Sequence, residues 1–550
     1  MKQKYKALFR EYGAYLFFLF LLAIAVLTYG PGLQGSFLWD DEEQIVKNEV
    51  VHHISNAATF LTGSTFHSGG SGELSGIYYR PVMPFFFSLL YSFFGANPTV
   101  FHSFQLIVHV ANAFLIFLLL RAIFSRDKSS ISPRGVEWIA AGGSILFLVH
   151  PINVESVLYI SVLQDVLCLF FGLAAVLVIA RVSSARCSVE CALLVLFLLI
   201  MSIFSKETGV LFILVTSVLA WIRLKGFHRG TVPLVGALAV GFYLFMRLQV
   251  AHVPFSRYDT APINKATTIE RIYTMPRIIM HYAQTYAIPV DVYIAHHWVV
   301  RTPSVRDFWI PLILVIITVF ILSALLWRTR SKTMLFFAVW LVAGVGIHMQ
   351  IFPLDMTVAD RWFYIAQVGA IGLGASVIMH YGMPRMRFLS RETVLVLVGV
   401  VFLAFAVRSH VRSYAWRSGY ALFSTDVKAN PDAYDIQNNL GVELFRRKEF
   451  DAALVHFKRS IELEPTWRFS LNNAGAVYEQ KGDYAMAKKY YLLSIKNGQY
   501  YLAYENYAGI LIKEKKYEEA ERFIREALRY LPENTQLRYF YMWVQNKLAE

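Results

Sequence analysis

Four carboxylates in a row, Asp40 to Glu43, follow an apolar segment in the stretch FLWDDEEQIVKN. A carboxylate beside a hydroxyl group can remove its proton. Arginine and lysine can hold and neutralise a phosphate leaving group, and such cations follow or precede other apolar segments of this chain. Since neighbouring carboxylates push their pKa values apart, Asp40 and Asp41 can divide the work between them. This combination suits the transfer of a group from a lipid-linked phosphate to a hydroxyl.

Ionisable residues at the ends of apolar segments are costly to keep near lipid, so a set of them indicates a functional site. Some have local explanations: Arg361 paired with Asp360, Lys206 paired with Glu207, and Asp165 at a helix start. The presence of the whole set at one membrane face favours a shared site. Its members are Asp40, Asp41, Arg80, Glu155, Asp165, Lys206, Glu207, Asp360 and Arg361.

Composition places most of the chain in a membrane. Of the 550 residues, 56% are hydrophobic and only 16% are charged, unlike a soluble domain. The net charge of +14 comes from small basic groups between apolar segments, which fits membrane topology and argues against a nucleic-acid partner. The first apolar run lacks a small-residue cleavage site, so we expect a retained span rather than a signal peptide.

Eleven apolar segments have the composition of membrane spans, if their ends extend into the flanking residues. We therefore expect a transmembrane region over residues 1–410 with about 11 helices. The segments cover residues 14–29, 102–120, 138–149, 166–180, 192–204, 208–221, 232–245, 308–327, 334–348, 362–379 and 394–406.

Lysine and arginine accumulate in every second connection between these segments, for example at Arg181, Arg223 and Arg328. Short cytoplasmic loops carry this excess, so the amino terminus is predicted to be cytoplasmic and the acidic loop external. The opposite short connections hold almost no cations other than Lys206 and Arg361.

Two predicted external loops are long, at residues 31–101 and 247–307. The first contains an aromatic-rich stretch from Tyr78 that is too short to span comfortably, so an interfacial helix is expected. The second contains apolar and aromatic residues at helical spacing, and the pattern leaves open whether residues 272–288 cross the bilayer.

After residue 406 the sequence becomes charged and repetitive. Gly441, Gly475 and Gly509 are 34 residues apart, the length of a tetratricopeptide repeat. Small residues at these positions let paired helices approach closely. We expect a linker helix at 411–434 and a soluble α-solenoid at 435–550, with three repeats and a capping helix. Because the predicted number of spans is odd and the amino terminus is predicted to be cytoplasmic, the repeat domain is expected on the same side of the membrane as the acidic loop.

Several stretches occur in an order that resembles a known family: FLWDDEEQIVKN, YYRPVMPF, FHSFQLIVHVANAFL, HPINVESVLYI, FSKETGVLF and ADRWFYI, followed by the repeats. The series is similar to the transmembrane and tetratricopeptide-repeat protein O-mannosyltransferases and their bacterial relatives. These belong to the GT-C superfamily of polyprenyl-phosphate-sugar-dependent glycosyltransferases. The resemblance implies an all-α, polytopic GT-C fold and an inverting transfer of one sugar, with mannose as the candidate, to an acceptor hydroxyl.

The resemblance also implies roles for individual residues. Asp40 or Asp41 is the general base, with the other orienting the acceptor. Of the two, we favour Asp40 because it is nearer the membrane, and we expect Glu42 and Glu43 to be solvated. The series departs from its relatives at Gln164, where a basic residue is common, and in the stretch from Asp360 to Tyr364. The donor phosphate is assigned to Arg80, Lys206 and Arg361, and the sugar and acceptor pocket to Glu155, Asp165, Glu207, His150, Asp360 and Tyr79.

The residues that could ligate a metal do not follow a known motif spacing. His52, His53, His67, His296 and His297 lack accompanying ligands, so structural or surface roles are expected for them. The three cysteines lie in or beside apolar stretches, where a zinc site lacks ligands. Some GT-C enzymes use a divalent cation and others do not, which leaves Mg²⁺ or Mn²⁺ as a candidate cofactor.

Three functions stay open at this stage. The first is a glycosyltransferase that takes sugar from a polyprenyl-phosphate donor in the bilayer and whose repeats bind a protein acceptor. The second is a glycosyltransferase acting on a lipid or cell-surface glycan, with the repeats recruiting other proteins. The third is a non-catalytic membrane scaffold, whereas a transporter is disfavoured because the ionisable residues gather at one face. The basic composition and few cysteines lean towards a bacterial inner membrane, with the active site and repeats in the periplasm.

Overall fold

The computed structural model describes residues 2–65, 77–127, 131–182, 186–255, 261–381 and 390–550, so His67 lies outside the described residues. Apart from a single bridge between His296 and Val358, every regular element of the described residues is helical. The predicted all-α class is confirmed.

The described helices of the first half of the chain include long apolar helices and short connecting ones. They are α1 (Lys2–Tyr29), α2 (Thr59–Thr62), α3 (Val82–Phe94), α4 (Pro98–Phe124), α5 (Pro133–Val149), α6 (Val154–Leu158), α7 (Leu163–Arg181), α8 (Val189–Ser205), α9 (Leu211–Arg223), α10 (His228–Phe245), α11 (Pro262–Lys265) and α12 (Thr268–Ala287).

The second half continues with four long helices, a shorter connecting helix and then a regular series of helix pairs. They are α13 (Ile310–Thr329), α14 (Lys332–Gly346), α15 (Phe363–Tyr381), α16 (Arg391–Ala415), α17 (Gly419–Ala429), α18 (Tyr434–Arg446), α19 (Phe450–Leu463), α20 (Arg468–Gln480), α21 (Tyr484–Lys496), α22 (Tyr501–Lys513), α23 (Tyr517–Tyr530) and α24 (Thr535–Ala549).

Many of these helices begin where the sequence supplies a capping side chain. Asn97 accepts a hydrogen bond from the backbone N–H of Thr99, and Pro98 occupies the first helical position of α4. At α12, Thr267 and Glu270 form a reciprocal capping box. Each cap fixes the residue at which the helix begins, and thereby the position of the loop residues just before it.

Six described helices are long and apolar enough to cross a membrane, or seven if the bent pair Pro133–Val149 and Pro151–Leu158 forms one span. The chain is thus a multi-pass membrane protein, while the count of about eleven spans stays a prediction. The six are Pro98–Phe124, Ile160–Arg181, His228–Val250, Val305–Thr329, Asp360–Tyr381 and Glu392–Ala415.

Burial separates central from peripheral membrane helices. The apolar window of Ile160–Arg181 is 78% buried, whereas those of Val305–Thr329 and Glu392–Ala415 are each 6% buried. Helices whose apolar side chains stay exposed on all sides need lipid around them, while the buried helix packs against its neighbours. Asp165 therefore lies on a central helix, away from the lipid-facing ones.

The two uncertain loop segments are both helical. The aromatic stretch forms α3, which has 13 residues and is too short to span a bilayer unaided. Residues 272–288 fall almost entirely within α12, which is not among the helices apolar enough to be candidate spans.

The region from 434 onwards contains three helix pairs followed by α24. At Gly441 and Gly475 an added Cβ would lie 2.6 and 2.7 Å from the rings of Phe457 and Tyr491, so the close approach expected there is present. At Gly509 an added Cβ would contact nothing within 4 Å, and the packing explanation was wrong for that position. Residues 411–434 hold the end of α16 and the separate helix α17.

Asparagine side chains on α18, α20 and α22 connect successive repeats. Nδ2 of Asn473 donates to Oδ1 of Asn438 at 2.9 Å, and Nδ2 of Asn506 donates to Oδ1 of Asn472 at 3.0 Å. We call these four residues the asparagine row. Its bonds tie the first helix of each pair to the first helix of the next.

The repeats contact the membrane region directly. Arg446 on α18 forms an ion pair of 2.6 Å with Glu42, and Lys265 forms one of 2.6 Å with Glu464. Nε2 of His297 lies 2.9 Å from Oδ2 of Asp435. The repeats therefore lie at the same end of the membrane helices as the acidic loop.

Candidate functional site

Asp40 and Asp41 open a short helical turn that follows a strained residue. Trp39 has a φ of 54°, a left-handed conformation that is unfavourable for a bulky side chain. Its ring stacks on Tyr159, with the centroids 5.8 Å apart and the planes 9° from parallel. This contact holds the backbone where it turns and aims the two aspartates at the segment around Tyr159.

Asp41 is fully engaged by hydrogen bonds. Its Oδ1 accepts from the backbone N–H of Ser161 at 2.8 Å and from the Ser161 hydroxyl, and its Oδ2 accepts from the N–H of Leu38 at 3.0 Å. The residue is 1% exposed. Asp41 therefore ties the acidic loop to the turn just before α7 and has little capacity left for a substrate.

Asp40 has a different environment. Its side chain is partly exposed, and across the described ranges its carboxylate has no well-formed hydrogen bond. The buried Tyr159 hydroxyl lies near enough to lower the pKa of Asp40, although its geometry falls short of a good hydrogen bond. Asp40 is thus the aspartate whose oxygens stay available.

The electrostatic environment raises both pKa values. Burial raises the pKa of Asp40 above its ordinary value, against the lowering effect of Tyr159 and Arg361, while Asp355 and Glu43 raise it further. Burial also raises the pKa of Asp41 to about 7, against the hydrogen bonds from Ser161 and Leu38. A raised pKa makes a carboxylate a stronger base once it is ionised.

Arg361 pairs with Glu155 rather than with its neighbour Asp360. Its guanidinium forms a close ion pair with Oε1 of Glu155, and its backbone N–H donates to Oε2 at 3.1 Å. Glu155 is buried, and its two oxygens hold both the side chain and the backbone of Arg361. The local Arg361–Asp360 alternative was wrong.

Lys206 pairs with Asp165 on the central helix α7. The Nζ–Oδ1 distance is 2.6 Å, and both residues are buried. The alternative pairing of Lys206 with Glu207 was therefore wrong. Since an ammonium has three donors and Asp165 takes one of them, Lys206 keeps donors for another acceptor.

Glu207 instead bridges two arginines. Its Oε2 accepts from Nε of Arg80 at 2.8 Å, and its Oε1 lies 3.4 Å from Nη1 of Arg247. Burial would raise the pKa of Glu207, but Arg80 and Arg247 hold it below its ordinary value. Nη1 of Arg80 donates to Oε1 of Gln164 at 2.7 Å. Two cations share one carboxylate here, which leaves a local positive excess.

The ion pairs are linked to each other and to Asp40. Arg361 is within electrostatic range of Asp40 and of Asp165, and Arg80 is within range of Asp165. Residues from seven separate parts of the sequence thus form one charged cluster. We call it the charged cluster: Asp40, Asp41, Arg80, Glu155, Asp165, Lys206, Glu207, Arg247 and Arg361.

Two predicted pocket residues are used elsewhere. His150 contacts the end of α12: its Nε2 lies 2.9 Å from the Tyr286 carbonyl oxygen, and its ring stacks on the Tyr286 ring. The Tyr79 hydroxyl donates to the Leu61 carbonyl at 3.0 Å, and its ring packs against Phe204. Both side chains are placed for packing.

The other two carboxylates of the stretch, Glu42 and Glu43, are paired. Glu42 bonds to Arg446 of the repeats at 2.6 Å, and Glu43 bonds to Lys47 at 2.6 Å. The expectation that both are merely solvated was wrong for Glu42, because the repeat region covers part of the loop. Asp360 faces His281 and His296 rather than Arg361.

The tetratricopeptide repeat family matches residues 470–497 and 501–534, which correspond to the second and third helix pairs. Among curated proteins, the human protein O-mannosyl-transferase TMTC3 is 25% identical over 93% of this chain. The protein O-mannosyl-transferase F38B6.6 of Caenorhabditis elegans is 23% identical over 82% of it and is itself matched over 63% of its length. The chain is thus similar to the TMTC protein O-mannosyl-transferases over most of its own length. It spans 60% of the length of the human TMTC relative.

A solved structure with a similar backbone is ArnT from Cupriavidus metallidurans bound to undecaprenyl phosphate. It is 12% identical, with a TM-score of 0.41, over 86% of this chain and 79% of ArnT. The similarity to human TMTC3 and to the C. elegans protein confirms the resemblance that was predicted from the ordered sequence stretches.

Sequence reasoning missed Arg247, Tyr159 and Ser161. Arg247 is 3% exposed and also donates from Nη1 to the Tyr243 hydroxyl at 2.8 Å. Arg247 lies at the end of an apolar segment, which is the signal that identified Lys206. It was missed because residue 247 was taken only as the start of the second long loop. Tyr159 and Ser161 are uncharged, so a search for ionisable residues passes over them.

Proposed function

We propose that the chain is a membrane glycosyltransferase that moves one sugar, mannose by the TMTC resemblance, from a polyprenyl-phosphate donor to a hydroxyl of a protein acceptor. The names of the homologues support the reaction class. The observation that carries the assignment of the base is the contrast between Asp41, which accepts three hydrogen bonds, and Asp40, which is available beside it.

In the proposed reaction Asp40 takes the proton of the acceptor hydroxyl. The hydroxyl oxygen bonds to the anomeric carbon from the face opposite the phosphate, so the configuration inverts. The bond between that carbon and the phosphate oxygen breaks, and the polyprenyl phosphate leaves with the electron pair. A carboxylate at this position contributes about 10²–10⁴-fold to such a transfer.

The leaving phosphate needs positive charge close by. Arg80 and Arg247 share one carboxylate, Glu207, which leaves the excess charge that a lipid phosphate would neutralise. Lys206 contributes its remaining donors, and Arg361 lies within electrostatic range of both Asp40 and Asp165. In this proposal Glu155 orients Arg361, Asp165 orients Lys206, and neither carboxylate contacts the phosphate.

The acceptor and the cellular side are part of the proposal. The contacts of α18 with the acidic loop put the repeats next to Asp40, where a protein held by the repeats can present a hydroxyl. The cation pattern of the connections favours an extracytoplasmic site, in the periplasm of a bacterial inner membrane.

The test is sugar transfer by the purified chain in liposomes that contain polyprenyl-phosphate mannose, with a protein acceptor and a glycolipid acceptor assayed separately. Asp40→Asn is expected to lower kcat about 10²–10⁴-fold with little change in thermal stability. Asp41→Asn is expected to lower the melting temperature more than Asp40→Asn, because it disrupts the bonds from Ser161 and Leu38. Glu43→Gln is the matched control for a charge lost from the same loop.

Full transfer by Asp40→Asn would overturn the assignment of the base. Transfer to the glycolipid but not to the protein would retain the reaction and replace the acceptor. No transfer to either acceptor by the folded wild-type chain would favour the non-catalytic scaffold.

A further inference from the structure

Three side chains outside the charged cluster converge at the contact between α12 and the segment before α15. His281 lies on α12, His296 lies at the bridge with Val358, and Asp360 follows two residues after that bridge. One nitrogen of each histidine and one oxygen of the aspartate lie within 4.8 Å of one another. The backbone fixes their approach, since the N–H of Thr357 donates to the carbonyl of His296 at 2.9 Å.

The polar atoms of this group are buried without hydrogen bonds. Both carboxylate oxygens of Asp360, and Nε2 of His281 and of His296, have no hydrogen-bond partner within the described chain. Asp360 and His296 are each 1% exposed. Nε2 of His281 lies 3.8 Å from Oδ1 of Asp360, which is too long for a hydrogen bond. An isolated buried carboxylate is costly, so a positive ion between these atoms would remove a large penalty.

We propose that His281, His296 and Asp360 bind a zinc ion. Two imidazoles and one carboxylate form a common three-residue ligand set for Zn²⁺. Ligand bonds of about 2.0–2.2 Å in a tetrahedral site put ligand atoms about 3.3–3.6 Å apart, close to the 3.8 Å approach of His281 to Asp360. Mg²⁺ and Mn²⁺ favour sites built from oxygen ligands and fit this group less well.

The basic residue Arg277 lies within electrostatic range of His296. Arg277 forms an ion pair of 3.1 Å with Asp307, which offsets its repulsion of a cation.

A zinc ion at this site would hold neighbouring parts of the chain in place. Zinc would join α12, the His296 segment and the turn that begins at Asp360. The next residue in that turn is Arg361, which belongs to the charged cluster, and the residue after His296 is His297, which contacts Asp435 of the repeats. A metal here would fix Arg361 and the repeat region relative to α12.

The experiment measures metal content and stability of the full chain, so it does not depend on transfer activity. The chain is purified in detergent, stripped with a chelator and equilibrated with buffered Zn²⁺, and bound metal is counted by mass spectrometry. One zinc per chain and a higher melting temperature with zinc are expected. His281→Gln, His296→Gln and Asp360→Asn should each lose both, and His252→Gln, an exposed histidine outside the group, should behave as wild type.

Cobalt(II) keeps the proposal testable if a variant fails to fold. The stripped wild-type chain should give the intense visible bands of tetrahedral Co²⁺, and added Zn²⁺ should displace them. A wild-type chain that binds no zinc, weak octahedral cobalt bands, or zinc binding by His296→Gln equal to that of His252→Gln would overturn the proposal.

Discussion

The Nζ atom of Lys206 lies 2.6 Å from Oδ1 of Asp165, and both side chains are buried in the membrane region. Removing one partner of a buried ion pair leaves an uncompensated charge and costs about 3–5 kcal/mol. We expect Lys206→Met to lower the melting temperature of the purified chain strongly. Lys206→Met combined with Asp165→Leu should recover most of that loss, because replacing both charges with apolar groups is often neutral.

The double variant also separates folding from function. If Lys206 holds the donor phosphate, the chain with both substitutions is stable but transfers sugar poorly, with a raised KM for the donor. Recovery of both stability and transfer would show that Lys206 only supports the fold.

The pH dependence of transfer depends on the charges around Asp40. Because a general base must be ionised, the rate falls as the pH drops through its pKa, which here is raised above the ordinary aspartate value. Asp355 raises that pKa and Tyr159 lowers it. Asp355→Asn should therefore move the acid limb of kcat/KM to lower pH, and Tyr159→Phe should move it to higher pH.

These opposite shifts distinguish Asp40 from other bases. Glu43→Gln should shift the limb in the same direction as Asp355→Asn but by less, because Glu43 affects Asp40 less. An acid limb that none of the three variants moves would mean that Asp40 is not the group that titrates.

Membrane residence and the repeats followed from sequence because each depends on a pattern along the chain. Apolar segments and a 34-residue period are visible without knowledge of neighbours in space. The charged residues at helix ends were also found, since burying charge near lipid is unusual. Their partners were not: Glu155 and Arg361 are 206 residues apart, so their pairing depends on how the helices pack.

The group of His281, His296 and Asp360 could not be predicted from the sequence for the same reason. His281, His296 and Asp360 have no motif spacing, and they meet only because α12 packs beside the bridge between His296 and Val358. The distinction between Asp40 and Asp41 also required the structure, because Ser161, which engages Asp41, is 120 residues away.

Gly441 and Gly509 give a matched pair of substitutions in the repeats. A Cβ at Gly441 would lie 2.6 Å from the buried ring of Phe457, whereas one at Gly509 has open space. Gly441→Ala should destabilise the repeats by about 1–3 kcal/mol through overpacking. Gly509→Ala should stabilise them by about 0.5–1 kcal/mol, because alanine is the better helix former. Thermal unfolding of the full chain measures both, and equal effects of the two substitutions would contradict the packing assignment.

The proposed function has the repeats bind a protein acceptor, and we expect the asparagine row to contact it, because an amide side chain both donates and accepts as a peptide group does. Asn473 and Asn506 are partly exposed, and each donates a hydrogen bond to an asparagine of the preceding repeat. If each amide gives the acceptor one hydrogen bond of about 1 kcal/mol, replacing both with alanine should raise the KM for the protein acceptor about 30-fold.

The KM for the polyprenyl-phosphate donor should not change in this double variant, because the donor contacts assigned to Arg80 and Lys206 lie outside the repeats. Asn546→Ala, on the exposed surface of α24, is the control for a lost asparagine. If the row variant and the Asn546→Ala control give the same KM for the protein acceptor, the acceptor is bound by another surface of the chain.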